Sequence, residues 1–444
     1  MRPLSRATIV LAVLAAAAGL AFTVVCYFPG YLTSDPIDQL SQARRHVYSD
    51  WHPPLMAWLW GQLDRIVPGP AGMLVFHAAL FWGGLALVAL SAFESAVWLP
   101  AAFVLTVGLL PPVFALLGTI WKDVGMADAL LLAFGLLLHA DRSGSRAALV
   151  LAVPALFYAV AVRHNAFVAA APLLLWFGLI AARPRRRLLV VATVSAALAL
   201  SFFALSYWIS YGLLNARHTH PVQQILIHDL AAVSIATERY QLPAFMKEGG
   251  QPSTVDELGD VYSPQLIDPL FCCDDTVPRF NLIYDERRFD ELARTWLRVI
   301  PQNWKSYLAH RAEAFRLQFA IGEEAVCFPF QRGTDPNALG LKFQHSPLNT
   351  RVTELMARFE NSLLFRGWFY LAVSAAGLVL SLFRRGLPRR AGAALAASGL
   401  LYGAAYFFIG TTCDFRMAWW TAVSAIVLPA VVFGTTGESS RGTS

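Results

Sequence analysis

The sequence predicts an all-α polytopic membrane protein of about ten transmembrane helices, with a mainly helical outer domain between the seventh and eighth. Three observations predict it: the composition, the spacing of the apolar runs and the side on which the charges fall. Of 444 residues, 57% are hydrophobic and 14% charged, against roughly 25% charged in soluble domains. A mean hydropathy of +0.51 over that length exposes more apolar surface than one water-soluble core could hide. The 13 Trp and 30 Phe suit a chain whose aromatic rings gather at membrane interfaces.

A helix needs about 20 apolar residues to cross roughly 30 Å of hydrocarbon. Runs of that kind occur at 8–28, 72–93, 97–117, 124–140, 147–163, 165–182, 188–210, 366–383, 391–410 and 417–434. The first could also be the apolar part of a signal peptide. Its length and the lack of a convincing cleavage site before Cys26 favour an uncleaved helix. With the N-terminus inside, alternation puts 1–7, 94–96, 141–146, 183–187, 384–390 and the tail 435–444 in the cytoplasm. Those segments hold 13 Arg against Glu94, Asp141 and Glu438, a net +10 that leaves −4 for the rest of the chain. The overall +6 is thus a positive-inside signature, and the charge calls for no nucleic-acid partner.

The domain reading follows. Residues 1–210 form a transmembrane core with a first outer loop at 29–71, 211–365 an extracytoplasmic domain, and 366–434 the C-terminal transmembrane helices. Helical patterns occur at Pro221–Thr237, Phe289–Val299, Pro301–Ile321 and Leu348–Leu364, with Pro301 suited to a first helical turn. Cys272, Cys273, Cys327 and Cys413 all map outside, where disulfides are permitted. A bridge from Cys272 or Cys273 to Cys327 and a set of free thiols are equally compatible with the spacing.

Polar residues placed against apolar helices are costly and therefore informative. Here they converge on the outer face. The first loop reads Tyr31-Leu-Thr-Ser-Asp-Pro-Ile-Asp-Gln39 and then Ser49-Asp-Trp-His-Pro-Pro-Leu55. Pro36 suits a first helical turn, with Asp35 as N-cap, and Asp35 and Asp38, three apart, then share a face. Three further turns follow: Gly118-Thr-Ile-Trp-Lys-Asp123 with Asp128 beyond it, Val162-Arg-His-Asn165, and Thr411-Thr-Cys-Asp-Phe-Arg416. Each has a bland account, as a cap, an interfacial ion pair or a snorkelling side chain. Four such turns at one face are better explained by a shared cavity.

Carboxylates and cations in one cavity suit transfer of a sugar from a phosphate leaving group to a hydroxyl. That reaction needs a base for the acceptor proton and positive charge on the departing phosphate. Asp35 or Asp38 can be the base, and Lys122, Arg163, His164 and Arg416 the phosphate clamp. Gln39, His52 and Asn165 can orient the acceptor. Asp35, Asp38 and Asp123 offer ligands to a divalent ion such as Mg²⁺ or Mn²⁺.

These motifs resemble the GT-C superfamily of membrane glycosyltransferases. Ser49 to Leu55 looks like the His-Pro-Pro-Leu stretch of protein mannosyltransferase-like and aminoarabinose transferase-like members. Asp35 to Gln39 (Asp-x-x-x-Gln), Trp121 to Asp123, Arg163 to Asn165 and Phe415-Arg416 resemble uncharacterised bacterial GT-C-like proteins. The resemblance implies a polyprenyl-phosphate-linked sugar donor, a lipid, polysaccharide or protein acceptor, and a place in the bacterial cytoplasmic membrane with both termini inside. It also favours Asp35 as the base over Asp38. Many members have adjacent Asp-Glu in the first loop, where this chain separates Asp35 from Asp38 by Pro-Ile.

Trp51, Trp58 and Trp60 either stack on a sugar or, the favoured reading, anchor the loop at the headgroups. His52 either contacts substrate or packs on Trp51. His310 and Arg311, in a stretch similar to one in the same proteins, either reach the cavity or lie on a solvated helix face, the latter favoured. A transporter or lipid-sugar flippase is the alternative function. It would show internal repeats and interrupted helices, which the sequence does not display.

Overall fold

The structure, a computed structural model, describes residues 4–93, 97–183, 187–272, 278–322 and 326–434. Among these the regular elements are all helical, joined by three isolated β-bridges. In order they are α1 (Arg6–Tyr27), α2 (Ser34–Arg45), α3 (Leu55–Asp64), α4 (Ala71–Ala92), α5 (Leu99–Gly108), α6 (Pro111–Leu117), α7 (Lys122–Ser143), α8 (Arg146–Ala161), α9 (Ala166–Ala181) and α10 (Leu188–Tyr207). The outer segment holds α11 (Gln223–Thr237), α12 (Val255–Val261), α13 (Glu286–Gln302), α14 (Trp304–Gln318) and α15 (Pro347–Ala357), and the chain ends with α16 (Gly367–Leu382), α17 (Gly386–Ile409) and α18 (Trp419–Gly434).

Apolar helices occupy all ten predicted runs. Six are long and apolar enough to cross a membrane, and α8, α9 and α16 are shorter, at 16 residues each. The run 97–117 is not one straight helix. It breaks between α5 and α6 with a bend of 69°, because Pro111 and Pro112 donate no backbone hydrogen bond and their rings disfavour helix in the residues before them. Such an interruption is a departure from the sequence reading. The apolar side chains of α10 face outward, with Leu200 68% and Phe203 62% exposed, a surface suited to lipid rather than water.

The bundle packs closely where side chains are small. A Cβ on Gly84 of α4 would lie 2.6 Å from the Leu132 nitrogen of α7. Only glycine lets these two backbones approach so near, as small residues do between membrane helices. Buried indoles find acceptors, as polar groups in an apolar core must: Trp82 Nε1 donates to Thr23 Oγ1 at 3.0 Å and Trp420 Nε1 to Ser398 Oγ at 2.9 Å.

The segment between α10 and α16 divides between two cores. Residues of α11, α12 and α13, among them Leu230, Leu258 and Leu292, form a small core of their own. Phe319, Phe330, Met356 and Phe365 instead join the core of the apolar bundle. Helix α13 is amphipathic, capped by Asp285 and buried through Leu292, Thr295, Val299 and Ile300. Pro301 lies in its last turn rather than starting a new helix; α14 begins after the break at Asn303. Cys327 pairs with Cys413, not with Cys272 or Cys273. The loop at 411–416 folds down beside Phe328, whose carbonyl accepts from the Phe415 N–H at 3.0 Å. Cys273 lies outside the described residues.

Candidate active site

Helix α7 fixes the geometry. Its 22 residues span roughly 33 Å, with Lys122 at one end and Asp141 at the other. Chain direction alternates along the bundle, so the starts of α7, α9 and α18 meet the end of α17 at the Lys122 end. The arginines that flank the apolar runs, such as Arg142, Arg183 and Arg390, gather at the Asp141 end, on or beside Asp141 and Ser91.

Three short backbone bridges place the loops over the first end. Tyr31 pairs with Thr119, Ser49 with Arg217 and Leu266 with Thr412. The first ties the start of α2 to the start of α7, the second ties the His52 loop to the segment after α10, and the third lays 265–267 against the turn before α18. Asp50 reinforces the second, accepting from Thr219 N at 2.7 Å, Thr219 Oγ1 at 2.6 Å and Tyr211 Oη at 2.9 Å.

Together these elements enclose a cavity of about 640 Å³, lined among others by Asp35, His52, Lys122, Arg163, His164 and Arg416. Asp35 is its centre. Lys122 Nζ lies 3.1 Å and Arg416 Nη1 3.2 Å from Asp35 Oδ2, and His52 Nε2 lies 3.5 Å from Oδ1. Burial pushes the Asp35 carboxyl up, but Lys122, His52 and Arg416 outweigh it and hold the group well below the ordinary carboxylate range. Burial, and then the Lys122 charge, lowers His52 against the pull of Asp35. His164, whose Nε2 is 3.1 Å from the Asp50 carbonyl, is lowered first by burial as well.

Arg163 is held from three sides. It pairs with Asp123, donates from Nε to Asn165 Oδ1 at 2.7 Å and from Nη2 to Tyr406 Oη at 2.6 Å. Arg416 is held by Asp414 at 2.9 Å and lies 4.8 Å from the centroid of the Trp121 ring. Lys122, Arg163 and Arg416 line the cavity; Asp123 and Asp414, which balance two of them, do not. The first residues of α7 and α11 and the cap of α9 line it too, adding the positive partial charge of helix N-termini. The arrangement is built for an anion beside a carboxylate.

The structure therefore brings together Asp35, His52, Lys122, Arg163, His164, Asn165 and Arg416, and it separates the rest. Asp35 is not an N-cap; Thr33 holds that place and Asp35 sits in the first turn of α2. Asp38 is exposed and outside the cavity, accepting from Gln42 Nε2 at 2.6 Å. Residues three apart on a helix diverge by about 60°, enough to turn Asp38 away. Gln39 is buried on another face and its amide has no hydrogen-bond partner among the described residues. Asp128 is likewise buried, has no hydrogen-bond partner among the described residues and does not line the cavity.

Asp35, Asp38 and Asp123 are not gathered as ligands for a divalent ion. Asp35 is paired with two cations, Asp123 with Arg163, and among the described residues no group of three His, Cys, Asp or Glu could hold a metal. Trp60 is no headgroup anchor: it is fully buried and donates to the Gly69 carbonyl at 3.1 Å. Trp51 lines the cavity. His310 and Arg311 are buried rather than solvated. Arg311 Nε is 2.7 Å from Asp229 Oδ1, and its Nη1 donates to the Gly410 carbonyl at 2.8 Å, fixing the end of α17.

Sequence reasoning missed Tyr406, Asp268 and Gln318, all of which line the cavity. Tyr402 and Tyr406, four apart in an apolar run, were the available signal. Gln318 is buried and its amide has no hydrogen-bond partner among the described residues; it ends the helix expected within Pro301–Ile321, where nothing marks the residue that meets the cavity, and Asp268 lies outside the expected helices.

No family model matches the chain, and no curated protein matches it. Among solved structures it is similar to ArnT from Cupriavidus metallidurans, crystallised with undecaprenyl phosphate, at 14% identity over 93% of this chain and 77% of that one, with a TM-score of 0.34. At that score nothing about activity follows from the likeness.

Proposed function

We propose that this chain is an integral membrane glycosyltransferase of GT-C type, moving a sugar from a polyprenyl-phosphate donor to an acceptor hydroxyl at the outer face of the bacterial cytoplasmic membrane. The ten apolar runs would cross the bilayer with both termini inside, counting the bent pair α5 and α6 as one crossing. The observation that carries the reading is Asp35, part-exposed in a large cavity and ringed by Lys122, Arg416 and His52.

In the free protein the two cations satisfy Asp35. A donor phosphate entering between Lys122, Arg163 and Arg416 competes for the same N–H groups and draws them off the carboxylate. Asp35 is then a charged acceptor with a lone pair to fill, and it takes the proton of the incoming hydroxyl. The acceptor oxygen bonds to the anomeric carbon, the bond from that carbon to the phosphate oxygen breaks, and polyprenyl phosphate leaves on the cations. Asn165 and Tyr406 keep Arg163 oriented, and preorganised charge of this kind is the larger part of such catalysis. The interruption between α5 and α6 does not favour transport: its flanking residues, Val104 to Leu117, are apolar apart from Thr106.

The test is transfer of labelled sugar from a polyprenyl-phosphate donor by the purified chain in nanodiscs. Transfer is expected; donor binding with no transfer to any acceptor, together with uptake of the donor across sealed vesicles, would replace the reading with a flippase. Topology is checked separately. A cysteine replacing Gly250 should react with an impermeant thiol reagent added outside and one replacing Arg187 should not, and the reverse would overturn the orientation.

A further inference from the structure

A second chamber, of about 510 Å³, opens beside the first, and Ser34, Asp268, Thr412 and Arg416 line both. Its own walls differ in kind from those of the first. Where the first gathers cations, the second presents Ser263, Gln265, Thr33 and the carboxylates Asp268 and Asp414 around two aromatic rings, that of Trp121, which is buried, and that of Phe328, which is not.

That ring is unusual in its setting. Phe328 is 38% exposed in a wall otherwise rich in polar groups, and the fold keeps it there. The Phe415 N–H donates to the Phe328 carbonyl at 3.0 Å, and the neighbouring residue is bonded through Cys327 to Cys413. Gln265 is held next to it, its carbonyl accepting from Cys413 N at 2.8 Å while its amide nitrogen reaches only the weak acceptor Cys327 Sγ. Asp268, exposed, stands where the two chambers meet.

We propose that this second chamber binds a carbohydrate, with Phe328 as the platform beneath the apolar face of a sugar ring and Gln265 and Asp268 bonding its hydroxyls. Resting on the glycosyltransferase reading, the bound sugar is the acceptor, delivered with a hydroxyl toward Asp35. The chemistry excludes the other classes. A lipid tail would strip water from the exposed Asp268 without replacing its hydrogen bonds, at a cost of several kcal/mol. A phosphorylated ligand would meet the Asp268 carboxylate, and Arg416, the cation that lines this chamber, is already paired with Asp414 and Asp35. A neutral or amino sugar supplies both what the Phe328 ring requires and what the Asp268 carboxylate and the Gln265 amide require. The sugar is either free in the aqueous phase or the headgroup of a glycolipid.

The experiment uses the full chain in nanodiscs of phosphatidylethanolamine and phosphatidylglycerol. One arm measures retention on an array of neutral and amino di- and trisaccharides; the other incorporates glycolipids bearing the same sugars and reads binding by native mass spectrometry. Binding in the first arm identifies a soluble glycan, and binding in the second alone a lipid-linked one. Phe328→Ala and Gln265→Ala should weaken sugar binding tenfold or more, Phe328→Trp should retain it, and undecaprenyl phosphate binding should change less than twofold in all three. No sugar bound in either arm, or full binding by Phe328→Ala, overturns the proposal. Sugar binding that depends on Phe328, with neither undecaprenyl phosphate binding nor transfer, would sink the glycosyltransferase reading while leaving the chamber's ligand class in place.

Discussion

Asp35 and Asp141 stand at opposite ends of the same bundle and meet the same kinds of partner. Asp141 pairs with Arg183 and Arg390 and accepts from Trp176 Nε1 at 2.8 Å, with its side chain fully buried. Asp35 meets Lys122, Arg416 and His52, but its side chain is 26% exposed and faces a cavity. Ion pairing by itself thus says little about function. What separates the two is access: one carboxylate is consumed in joining α7, α9 and α17, and the other has partners that a ligand can take away.

The comparison can be broken most sharply by swapping each carboxylate for its amide. Asp35→Asn should cut sugar transfer about 100- to 10,000-fold, the worth of a general base, and leave thermal unfolding in detergent nearly unchanged. Asp141→Asn should do the opposite. It removes the buried carboxylate on which Arg183 and Arg390 converge, and breaking a buried pair costs about 3–5 kcal/mol, read as a lowered unfolding midpoint with turnover per folded molecule intact. If Asp35→Asn also unfolded the chain while keeping its turnover, the distinction between the two ends would collapse.

A smaller effect is expected at the clamp. Arg416→Lys keeps the charge but loses the planar fork that reaches both Asp35 and Asp414, and should lower kcat/KM roughly 10- to 100-fold, the worth of a charged hydrogen bond. The pH profile sharpens the same point. The base must be deprotonated, so kcat/KM, which reports the free protein, falls as pH drops through the Asp35 pKa. Because Lys122 and its neighbours hold that pKa well below the ordinary value of about 3.9, no acid limb from Asp35 is expected above about pH 4. In Lys122→Met one such cation is gone while burial still raises the carboxyl, and the acid limb should move to higher pH. An unmoved limb in that variant would assign the base elsewhere.

Much of the site was legible because it lies in short turns between apolar runs, where any charged residue stands out. Lys122, Arg163 and Arg416 were found that way, as were Asp35 and His52. What was not legible depended on which way neighbouring side chains point. Lys122 and Asp123 are adjacent, yet one reaches Asp35 and the other Arg163, while Asp38 and Gln39 share a helix with Asp35 and miss the cavity. Asp268 comes from a stretch outside the expected helices, and Gln318 from the last turn of an expected one, whose period does not say which residue meets the cavity.

The sequence alone determined the apolar runs, their alternation and the sorting of charge to the two ends, because each follows from composition and from the period of a helix in lipid. Tertiary structure decided the rest. Whether a carboxylate is buried in a closed ion cluster or left open to a cavity depends on how helices distant in sequence are stitched together, here through single backbone bridges at Tyr31, Ser49 and Leu266. Contacts of that range leave no trace in local spacing, and they are what set Asp35 apart from Asp141.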